Sequence, residues 1–203
     1  MSYVVNNPNF WNNKYINNQD KWDIGKPTPF FVDWEKKLQN KQKILIPGCG
    51  KGHDVIYMAS KNHNVTAVDF SKYSIEFLNK KAKEKNLKIK TFLTDFFSLH
   101  KEHDGKYDVV LEYTFFCAIS PNKRKDYFKK CYSLLNNSGS IIGIFLPLST
   151  NETGPPFKVS VENIKKVSEN YFDISIVNKN INSINKRLNN EVFIKLDKKC
   201  LNI

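Results

Sequence analysis

The fold of this chain is decided by the stretch KILIPGCGKGHDVIYMASK, which runs from Lys43 to Lys61. Its start, residues 43–46, is short and mostly apolar and predicts a buried strand. The turn that follows, Gly48-Cys49-Gly50-Lys51-Gly52, holds three glycines within five residues and must be tight. Apolar side chains then recur at helical spacing over residues 53–61. Strand, glycine turn and helix therefore follow in order.

Strands and helices continue to alternate toward the C-terminus. Further strands are predicted over residues 64–70, 88–97, 107–116 and 140–146, and a closing hairpin pairs residues 172–177 with 191–196. Between them, helices are predicted from the N-cap Ser71 to about 86, from Pro121 to 136–139, and over 161–169. This alternation predicts an α/β, Rossmann-like fold with a doubly wound, mainly parallel sheet of seven strands. Ligands of such sheets bind at the carboxyl ends of the strands.

Two aromatic-rich helices are predicted ahead of the sheet, over residues 8–18 and 29–39. Their large side chains are Trp11, Tyr15, Phe30, Phe31 and Trp34. We expect residues 1–40 to form a helical lid within a single domain that spans residues 1–203. A chain of 203 residues fits one ordinary domain, and no repeat or linker marks an internal boundary.

The basic charge of the chain does not by itself indicate a nucleic-acid-binding protein. There are 32 lysines and arginines against 20 acidic residues, which gives a net charge of +12 and a pI near 9.4. Only Arg124 and Arg187 are arginines, whereas recognition of phosphates and guanines favours arginine. We interpret the scattered lysines as a compositional bias that coats a soluble surface. We therefore expect no nucleic-acid partner.

The cysteines and the N-terminus give no sign of metal binding, secretion or membrane insertion. The four cysteines form no Cys-x-x-Cys pair and have no histidine at zinc spacing, so neither a metal site nor disulfides are predicted. Residues 1–10 lack a basic region that leads into an apolar one, and no apolar run approaches the ~20 residues that cross a bilayer. We expect a cytoplasmic monomer without a membrane partner.

The glycine turn favours a ligand that brings no phosphate to it. The dinucleotide fingerprint Gly-x-Gly-x-x-Gly would need glycine at position 53, where this chain has His53. No Gly-x-x-x-x-Gly-Lys-Ser/Thr loop is present either. The glycine backbone can still approach a ligand closely, as would suit the methionyl tail of S-adenosylmethionine. A purely structural turn is the alternative.

Acidic residues follow the next two strands at the same edge of the sheet. Asp69 lies 19 residues after Gly50, where a carboxylate can accept hydrogen bonds from ribose hydroxyls. Its alternative role is to stabilise the start of the next helix. Asp95 ends the third strand and could accept from an adenine amino group, with the Phe96 ring stacked on the purine. Phe96 and Phe97 could equally belong to the core.

The loops after the fourth and fifth strands also carry candidates. Glu112 and Tyr113 interrupt an otherwise apolar strand, and a buried hydroxyl normally finds a partner. Tyr113 would therefore face a ligand or bind neighbouring backbone, and the sequence leaves both open. The Thr153-Gly154-Pro155-Pro156-Phe157 loop is rigid and apolar, and it is either a pocket wall or an ordinary connector.

These motifs together resemble the thiopurine S-methyltransferase family, and within it the halide, thiocyanate and thiol methyltransferase branch. The resemblance rests on Trp11, Trp22-Asp23-Ile24-Gly25, Ile46-Pro47-Gly48-Cys49-Gly50, Val68-Asp69, Asp95-Phe96-Phe97, the Tyr113 to Ile119 stretch and the Gly154 to Ser160 stretch. Tyr113 stands where this branch has tyrosine and thiopurine-type members tend to carry arginine. Two departures could reshape the lid or the acceptor pocket: Tyr15 replaces a third tryptophan, and Asn151-Glu152-Thr153 replaces a lead that contains histidine and glycine.

The resemblance implies a class I methyltransferase fold with S-adenosyl-L-methionine as cofactor, S-adenosyl-L-homocysteine as product and no metal. The cofactor-binding residues it implies are Trp11, Tyr15, Trp22, Gly48, Gly50, Asp69, Phe70, Asp95, Phe96 and Tyr113. Tyr113 borders the acceptor and is the candidate catalytic residue. Phe30, Phe116 and Phe157 are the candidates for the substrate pocket.

Methyl transfer from a sulfonium to a soft nucleophile is a one-step displacement, so alignment and exclusion of water are the main requirements. Halide and thiocyanate need no base, whereas a thiol of pKa about 8.5 must first lose its proton. A phenol of pKa about 10 is a poor base at neutral pH. We therefore expect Tyr113 to orient the nucleophile and not to deprotonate it.

The predicted function is methyl transfer from S-adenosylmethionine to a small soft nucleophile: a thiol such as methanethiol, hydrosulfide, thiocyanate or a halide. The alternative is thiopurine-type methylation of xenobiotic thiols. An RNA or protein methyltransferase is supported only by the positive charge, since no Asn-Pro-Pro-Tyr-type tetrad is present. His53 disfavours a dehydrogenase, and a non-enzymatic nucleic-acid-binding module is the last alternative.

Overall fold

The structure is a computed structural model that describes residues 4–150 and 153–200. Residues 1–3, 151–152 and 201–203 lie outside the described residues. The expected departure at Asn151-Glu152-Thr153 therefore falls largely outside them.

Seven strands in the described residues form one sheet: β1 (Lys43–Pro47), β2 (Asn64–Asp69), β3 (Lys90–Leu93), β4 (Tyr107–Tyr113), β5 (Leu135–Phe145), β6 (Phe172–Asn178) and β7 (Val192–Lys198). Their order across the sheet is β3-β2-β1-β4-β5-β7-β6. Neighbouring strands from β3 to β5 are parallel, and β7 runs antiparallel to both β5 and β6. The predicted mainly parallel, seven-stranded sheet and its closing hairpin are confirmed.

Helices cover both faces of the sheet. They are α1 (Pro8–Ile16), α2 (Pro29–Glu35), α3 (His53–Ser60), α4 (Lys72–Glu84), α5 (Arg124–Leu134) and α6 (Val161–Ser168). One apolar cluster joins α5 and α6 to the strands through residues such as Phe128 and Ile164. Another joins α2, α3 and α4 to the other face through Phe31, Met58 and Leu78. None of the helices in the described part of the chain is long and apolar enough to cross a membrane.

The order of the strands reverses between β1 and β4, and this places the candidate residues together. From β1 the chain moves outward to β2 and β3, whereas β4 pairs on the other side of β1. A crevice opens where the order of parallel strands reverses, outside their carboxyl ends. The glycine turn follows β1 directly and Tyr113 ends β4, so both lie at this crevice.

Two strands end earlier than predicted because the chain leaves the extended conformation directly after them. β3 ends at Leu93 and not near 97, since the side chain of Asp95 accepts the Phe97 N–H at 3.0 Å and starts a 3-10 turn. β4 ends at Tyr113 and not at 116, since Thr114 has φ of +67° and leaves the extended region. Hydrogen bonds from side chains compete with strand pairing at such positions.

The helices predicted ahead of the sheet are present but shorter, as α1 and α2. Asn12 of α1 joins its helix to the start of α4, because its Oδ1 accepts from the Ser71 hydroxyl at 2.7 Å and from the Tyr73 N–H at 3.2 Å. Ser71 is the predicted N-cap of α4, and its Oγ accepts the Ser74 N–H. The segment that precedes β1 is thus packed over the carboxyl end of β2.

Candidate active site

A narrow cavity of about 70 Å³ lies at the crevice between β1 and β4. Its walls are the glycine turn, residues of the 22–28 loop, Tyr15, Phe31, Leu111 and Tyr113. Typical small-molecule sites measure roughly 300–1,000 Å³. The segment that precedes β1 therefore lies close over the glycine turn and leaves little space.

The glycine turn brings bare backbone to this cavity. Gly48 has φ of +56°, and a Cβ atom there would lie 2.3 Å from Cδ2 of Phe115. Gly50 has φ of +53°, and its Cβ would lie 3.0 Å from the hydroxyl of Tyr15. Positive φ and close neighbours both require glycine at these two positions. Their N–H and C=O groups can approach a ligand without an intervening side chain.

Asp69 joins the end of β2 to the glycine turn. One carboxylate oxygen accepts the Gly50 N–H at 2.9 Å, and the other accepts the Ser71 N–H at 2.8 Å. Burial raises the pKa of Asp69 to about 6, although hydrogen bonds from backbone N–H groups oppose the shift. The carboxylate is therefore ionised at neutral pH, and each oxygen keeps lone pairs for further donors.

Aromatic side chains from α1 and the following loop surround the turn. Trp22 packs edge-on against both Trp11 and Tyr15, at centroid distances of 5.3 and 5.4 Å. Its indole N–H donates to the hydroxyl of Tyr15 at 3.3 Å, and Tyr15 stacks on Tyr73 of α4. Burial raises the pKa of Tyr15, so its hydroxyl stays protonated. These rings form an apolar wall with one polar atom near Gly50.

Ion pairs hold the loop before α2 against the glycine turn. Lys51 lies 2.6 Å from Asp20 and 3.1 Å from Asp23, and Nε2 of His53 lies 3.0 Å from Asp23. Burial raises the pKa of Asp23, but hydrogen bonds from His53, Gly25 and Lys51 outweigh it and hold that pKa below its usual value. His53, which stands where the dinucleotide fingerprint would need glycine, thus helps to hold the loop before α2 against the glycine turn.

Tyr113 is held at the other side of the cavity by residues from the C-terminal hairpin. Its hydroxyl donates to Oε1 of Glu191 at 2.9 Å and accepts a hydrogen bond from Arg187. The same guanidinium lies 5.0 Å from the centre of the Tyr113 ring and donates to the Trp22 carbonyl at 2.7 Å. Burial raises the pKa of Tyr113, and the Arg187 charge only partly opposes this. The phenol is therefore neutral, oriented and unsuited to act as a base.

Arg187 and Glu191 are site residues that sequence reasoning did not single out. Arg187 lies in the turn between the two predicted hairpin strands and Glu191 at the start of the second, 74 and 78 residues after Tyr113 in the chain. One signal was available, because Arg187 is one of only two arginines among 32 basic residues. Arginine at a position in a lysine-rich chain indicates that the planar guanidinium group, with its several N–H donors, is required there.

Glu112 supports the turn that follows β4 and does not face the cavity. Its Oε1 accepts the N–H groups of Phe115 and Phe116 at 3.0 and 2.8 Å, and its Oε2 accepts the Tyr127 hydroxyl at 2.8 Å. Burial raises the pKa of Glu112 to about 7 despite these three donors. The carboxyl group therefore shapes the loop next to Tyr113.

The raised pKa of Glu112 predicts a loss of stability with rising pH. The folded form holds its proton more tightly than the unfolded form, where the pKa is near 4.5. The contribution of protonated Glu112 to the free energy of unfolding is therefore complete below about pH 4.5, and it is lost as the pH rises through about 7. The Glu112→Gln variant has no carboxyl group to ionise at this position. Between about pH 5 and pH 8, the free energy of unfolding of the wild type should therefore fall more than that of the variant, and the difference should be on the order of 3 kcal/mol.

Urea unfolding at several pH values measures this difference. The control is Glu76→Gln, which removes an exposed carboxylate of α4 whose partner, Lys72, is a lysine and keeps its charge between pH 5 and pH 8. This substitution should leave the pH dependence unchanged. An unaltered pH dependence in Glu112→Gln would show that the Glu112 carboxyl does not titrate in this range.

The remaining predicted residues lie at different distances from the cavity. Tyr15, Trp22, Gly48, Gly50 and Tyr113 line it. The other five do not: Trp11 lies on α1 and packs on Trp22, Asp69 and Phe70 lie at the end of β2, and Asp95 and Phe96 follow β3. Asp95 is exposed, and Phe96 is buried against Phe115 and Tyr127. The Phe96 ring thus belongs to the core.

The candidate substrate residues do not line the cavity. Phe30 packs on Phe193 at a centroid distance of 4.4 Å, and its neighbour Phe31 lines the cavity instead, 6.1 Å from the Tyr113 ring. Phe116 is 1% exposed and lies in the core. Phe157 lies on the loop after β5 and donates its N–H to the Cys117 carbonyl at 2.7 Å.

Thiols near the cavity are not activated as nucleophiles. Cys49 lines the cavity, but burial and the Asp69 charge raise the pKa of its thiol well above the usual value. Burial and the Glu112 charge raise the pKa of Cys117 to about 12. A nucleophilic cysteine requires a lowered pKa, so a covalent intermediate on these side chains is disfavoured.

Comparison with known sequences gives a consistent result over most of the chain. The family model described as thiopurine S-methyltransferase matches residues 6–198. A probable thiol methyltransferase 2 of Arabidopsis thaliana is 36% identical over 160 residues, which are 77% of this chain and 70% of that protein. Thiocyanate methyltransferase 1 of Brassica oleracea is 34% identical over 152 residues, 72% of this chain and 65% of that protein.

A more distant relative and two solved structures extend the comparison. Thiopurine S-methyltransferase of Acinetobacter baylyi is 24% identical over 187 residues, 83% of this chain and 86% of that protein. A Burkholderia thailandensis 1,6-didemethyltoxoflavin N1-methyltransferase, solved with bound S-adenosylhomocysteine, superposes with a TM-score of 0.77 at 15% identity, over 97% of this chain and 88% of that one. A TehB-like S-adenosylmethionine-dependent methyltransferase of Corynebacterium glutamicum superposes with a TM-score of 0.71 at 14% identity, over 95% of this chain and 100% of that one.

Proposed function

The chain belongs to the thiopurine S-methyltransferase family, and from this premise we propose that it methylates a small soft nucleophile: a thiol, hydrosulfide, thiocyanate or a halide. As a member of this family it is an S-adenosylmethionine-dependent methyltransferase. The observation that carries the choice of acceptor is Tyr113, oriented by Arg187 and Glu191 on the wall opposite the glycine turn.

The residues present fit the cofactor. Close Cβ contacts keep the backbone of Gly48 and Gly50 bare, and the Asp69 carboxylate has lone pairs left for ribose hydroxyls. Trp11, Tyr15 and Trp22 supply aromatic surface that can attract a sulfonium cation. The bound cofactor supplies an activated methyl group. We propose that Asp95 and Phe70 lie toward the adenine end of the bound cofactor, whereas the Phe96 ring, buried in the core, supports this end from below.

The chain's own residues would orient the acceptor and exclude water. Phe31, Leu111 and Tyr113 form a mostly apolar wall, in which an anionic nucleophile loses hydration and gains reactivity. The Tyr113 hydroxyl already donates to Glu191, so it would hold an anionic acceptor through the positive edge of its ring or by a rotation that redirects its O–H. Thiolates, thiocyanate and halides need no base in this arrangement.

The lid function of residues 1–40 is also a proposal. A cavity of about 70 Å³ is too small for the whole cofactor, which requires movement of α1 or of the 20–25 loop. That loop is attached by the ion pairs of Lys51 and His53, which lie at the partly exposed rim. These contacts lower the pKa of Asp23 and therefore stabilise the closed loop, so its opening has an energetic cost that binding of the cofactor must offset.

A nucleic-acid substrate is the less favoured alternative. Arg124 is 5% exposed, and the Arg187 side chain is 12% exposed. Both arginines therefore lie inside the protein and cannot contact a phosphate backbone. We propose a monomeric, cytoplasmic, single-domain enzyme without a nucleic-acid partner.

A panel of acceptors tests the proposal. The purified protein is incubated with S-adenosylmethionine and methanethiol, hydrosulfide, thiocyanate, iodide or a thiopurine, and volatile methylated products are measured by gas chromatography together with S-adenosylhomocysteine. We expect turnover of at least one small nucleophile and a lower kcat/KM for the thiopurine. Preferential methylation of the thiopurine would favour the alternative, and no turnover of any acceptor would contradict the proposal.

A further inference from the structure

We propose that Arg124 is a positioning residue that fixes the 154–160 loop against the turn after β4 and thereby determines which acceptors are methylated. The inference rests on the proposed function, and it adds a residue that specifies the acceptor. Arg124 begins α5 and lies outside the cavity, so it would act through the loops that it joins.

Arg124 contacts both loops directly. Its Nη2 donates to the Phe157 carbonyl at 3.2 Å, and its Cζ lies 4.8 Å from the centre of the Phe116 ring. The two loops also meet through the backbone, since the Phe157 N–H donates to the Cys117 carbonyl at 2.7 Å. Phe157 is therefore held on its carbonyl side by Arg124 and on its N–H side by the turn.

This attachment reaches the active site through the turn after β4. Tyr113 ends β4, and Phe115 packs on the glycine turn so closely that a Cβ on Gly48 would lie 2.3 Å from it. The next residue, Phe116, packs on Arg124, and Cys117 binds the loop backbone. The turn that follows Tyr113, the residue that faces the acceptor, is thus held by Arg124 and by the 154–160 loop.

Arg124 carries a buried positive charge without a nearby carboxylate, which indicates that the residue has a specific role. It is 5% exposed, no carboxylate of the described residues lies within 4 Å of it, and its Nε has no hydrogen-bond partner there. A buried charge without a counter-ion is costly unless it makes strong hydrogen bonds or serves a role. The carbonyl of Phe157 and the face of Phe116 are the groups that compensate this charge.

Arginine is also the residue that this chain otherwise avoids. Arg124 and Arg187 are the only arginines among 32 basic residues, and both lie beside the turn after β4. Lysine supplies a point charge, whereas arginine can donate to a carbonyl and stack on a ring at the same time. The geometry at Arg124 uses both properties.

The test compares Arg124→Lys and Arg124→Met with Lys125→Met, an exposed basic residue at the next position of α5. For each protein we would measure kcat/KM for hydrosulfide and for a bulkier aromatic thiol, the affinity for S-adenosylhomocysteine, and amide exchange by NMR. In Arg124→Lys we expect kcat/KM for hydrosulfide to fall about tenfold relative to the aromatic thiol, as loss of one charged hydrogen bond implies. The affinity for S-adenosylhomocysteine should change less than about twofold.

Amide exchange separates this inference from the proposed function. The Phe157 and Val159 N–H groups bind the Cys117 and Pro147 carbonyls and should exchange faster in Arg124→Lys but not in Lys125→Met.

If no acceptor is methylated by the wild type, the proposed function fails, while faster exchange at Phe157 still supports the positioning role. Unchanged exchange and an unchanged acceptor ratio would overturn the inference. An equal loss of cofactor affinity, thermal stability and all activities would also overturn it, as a merely structural role. If Arg124→Met does not fold, Arg124→Lys decides.

Discussion

Replacement of Asp69 by asparagine is expected to weaken the binding of S-adenosylmethionine and S-adenosylhomocysteine by about 100-fold or more. The carboxylate would accept hydrogen bonds from the ribose, and asparagine removes both its charge and one acceptor oxygen. The new amide group would also face the N–H of Gly50 or of Ser71, each of which now donates to a carboxylate oxygen. The glycine turn would therefore lose a support at the same time.

Isothermal titration calorimetry measures this loss directly. The matched control is Asp108→Asn near the start of β4, where the carboxylate likewise accepts a backbone N–H, that of Lys43, at 2.7 Å. Asp108 lies at the amino ends of the strands, so its replacement should leave cofactor affinity unchanged. Equal affinity of Asp69→Asn and wild type would remove Asp69 from the cofactor site.

The same carboxylate predicts how cofactor affinity depends on pH. Burial raises the pKa of Asp69 to about 6, so the free protein takes up a proton below that pH and loses the acceptor that the ribose requires. Affinity should therefore be constant above about pH 7 and fall as the pH drops through 6. Asp69→Asn should show no such fall.

Replacement of Tyr113 by phenylalanine is expected to lower kcat/KM for the acceptor by about 10- to 100-fold, with little change in cofactor affinity. The substitution removes the hydroxyl and leaves Oε1 of Glu191 and the Arg187 donor without their partner. Buried polar groups without partners are costly and rearrange. The ring that borders the acceptor would therefore lose its orientation.

Steady-state kinetics against each active acceptor check this prediction. Tyr107→Phe is the control, because Tyr107 begins the same strand and its buried hydroxyl also has a partner, His103 at 2.7 Å. Its loss should lower stability but not kcat/KM. If Tyr113→Phe has unchanged kinetics with every acceptor, Tyr113 has no part in the mechanism.

Arg187→Lys adds a second readout for the same cluster. Arg187 donates to both the Tyr113 hydroxyl and the Trp22 carbonyl, and a lysine can satisfy only one of them well. This variant should therefore weaken cofactor affinity as well as acceptor turnover, whereas Tyr113→Phe affects turnover alone. The difference separates the role of the Trp22 loop from that of the tyrosine.

The mainly parallel sheet and much of the cofactor side follow from local patterns in the sequence. The alternation of strand and helix after Lys43 predicts parallel strands, because a crossover that contains a helix brings the chain back to the same end of the sheet. The glycine turn, Asp69 and Tyr113 each end or follow a strand, so their meeting at one edge needs no knowledge of side-chain packing. The N-cap at Ser71 is likewise local, since it joins residues three apart.

The residues on the acceptor side of the site could not be predicted from local sequence patterns. Phe31, not Phe30, lines the cavity, because a shift of one residue in a short helix changes the face on which a side chain lies. The resemblance implies a pocket role for Phe116, but the carboxylate of Glu112 accepts its N–H and the ring lies in the core. Neither outcome has a signature in residue spacing.

By itself, the sequence of this protein determined the fold class and the candidate residues at the carboxyl ends of the strands, because short-range periodicity suffices for them. The family followed from the resemblance of its motifs, taken in order, to those of known methyltransferases. Only the tertiary structure decided what holds Tyr113 and the 154–160 loop. Arg187, Glu191 and Arg124 reach these groups from 74, 78 and 33 residues away along the chain. Contacts over such separations depend on how the closing hairpin and α5 pack on the sheet, and that packing is a property of the whole folded chain.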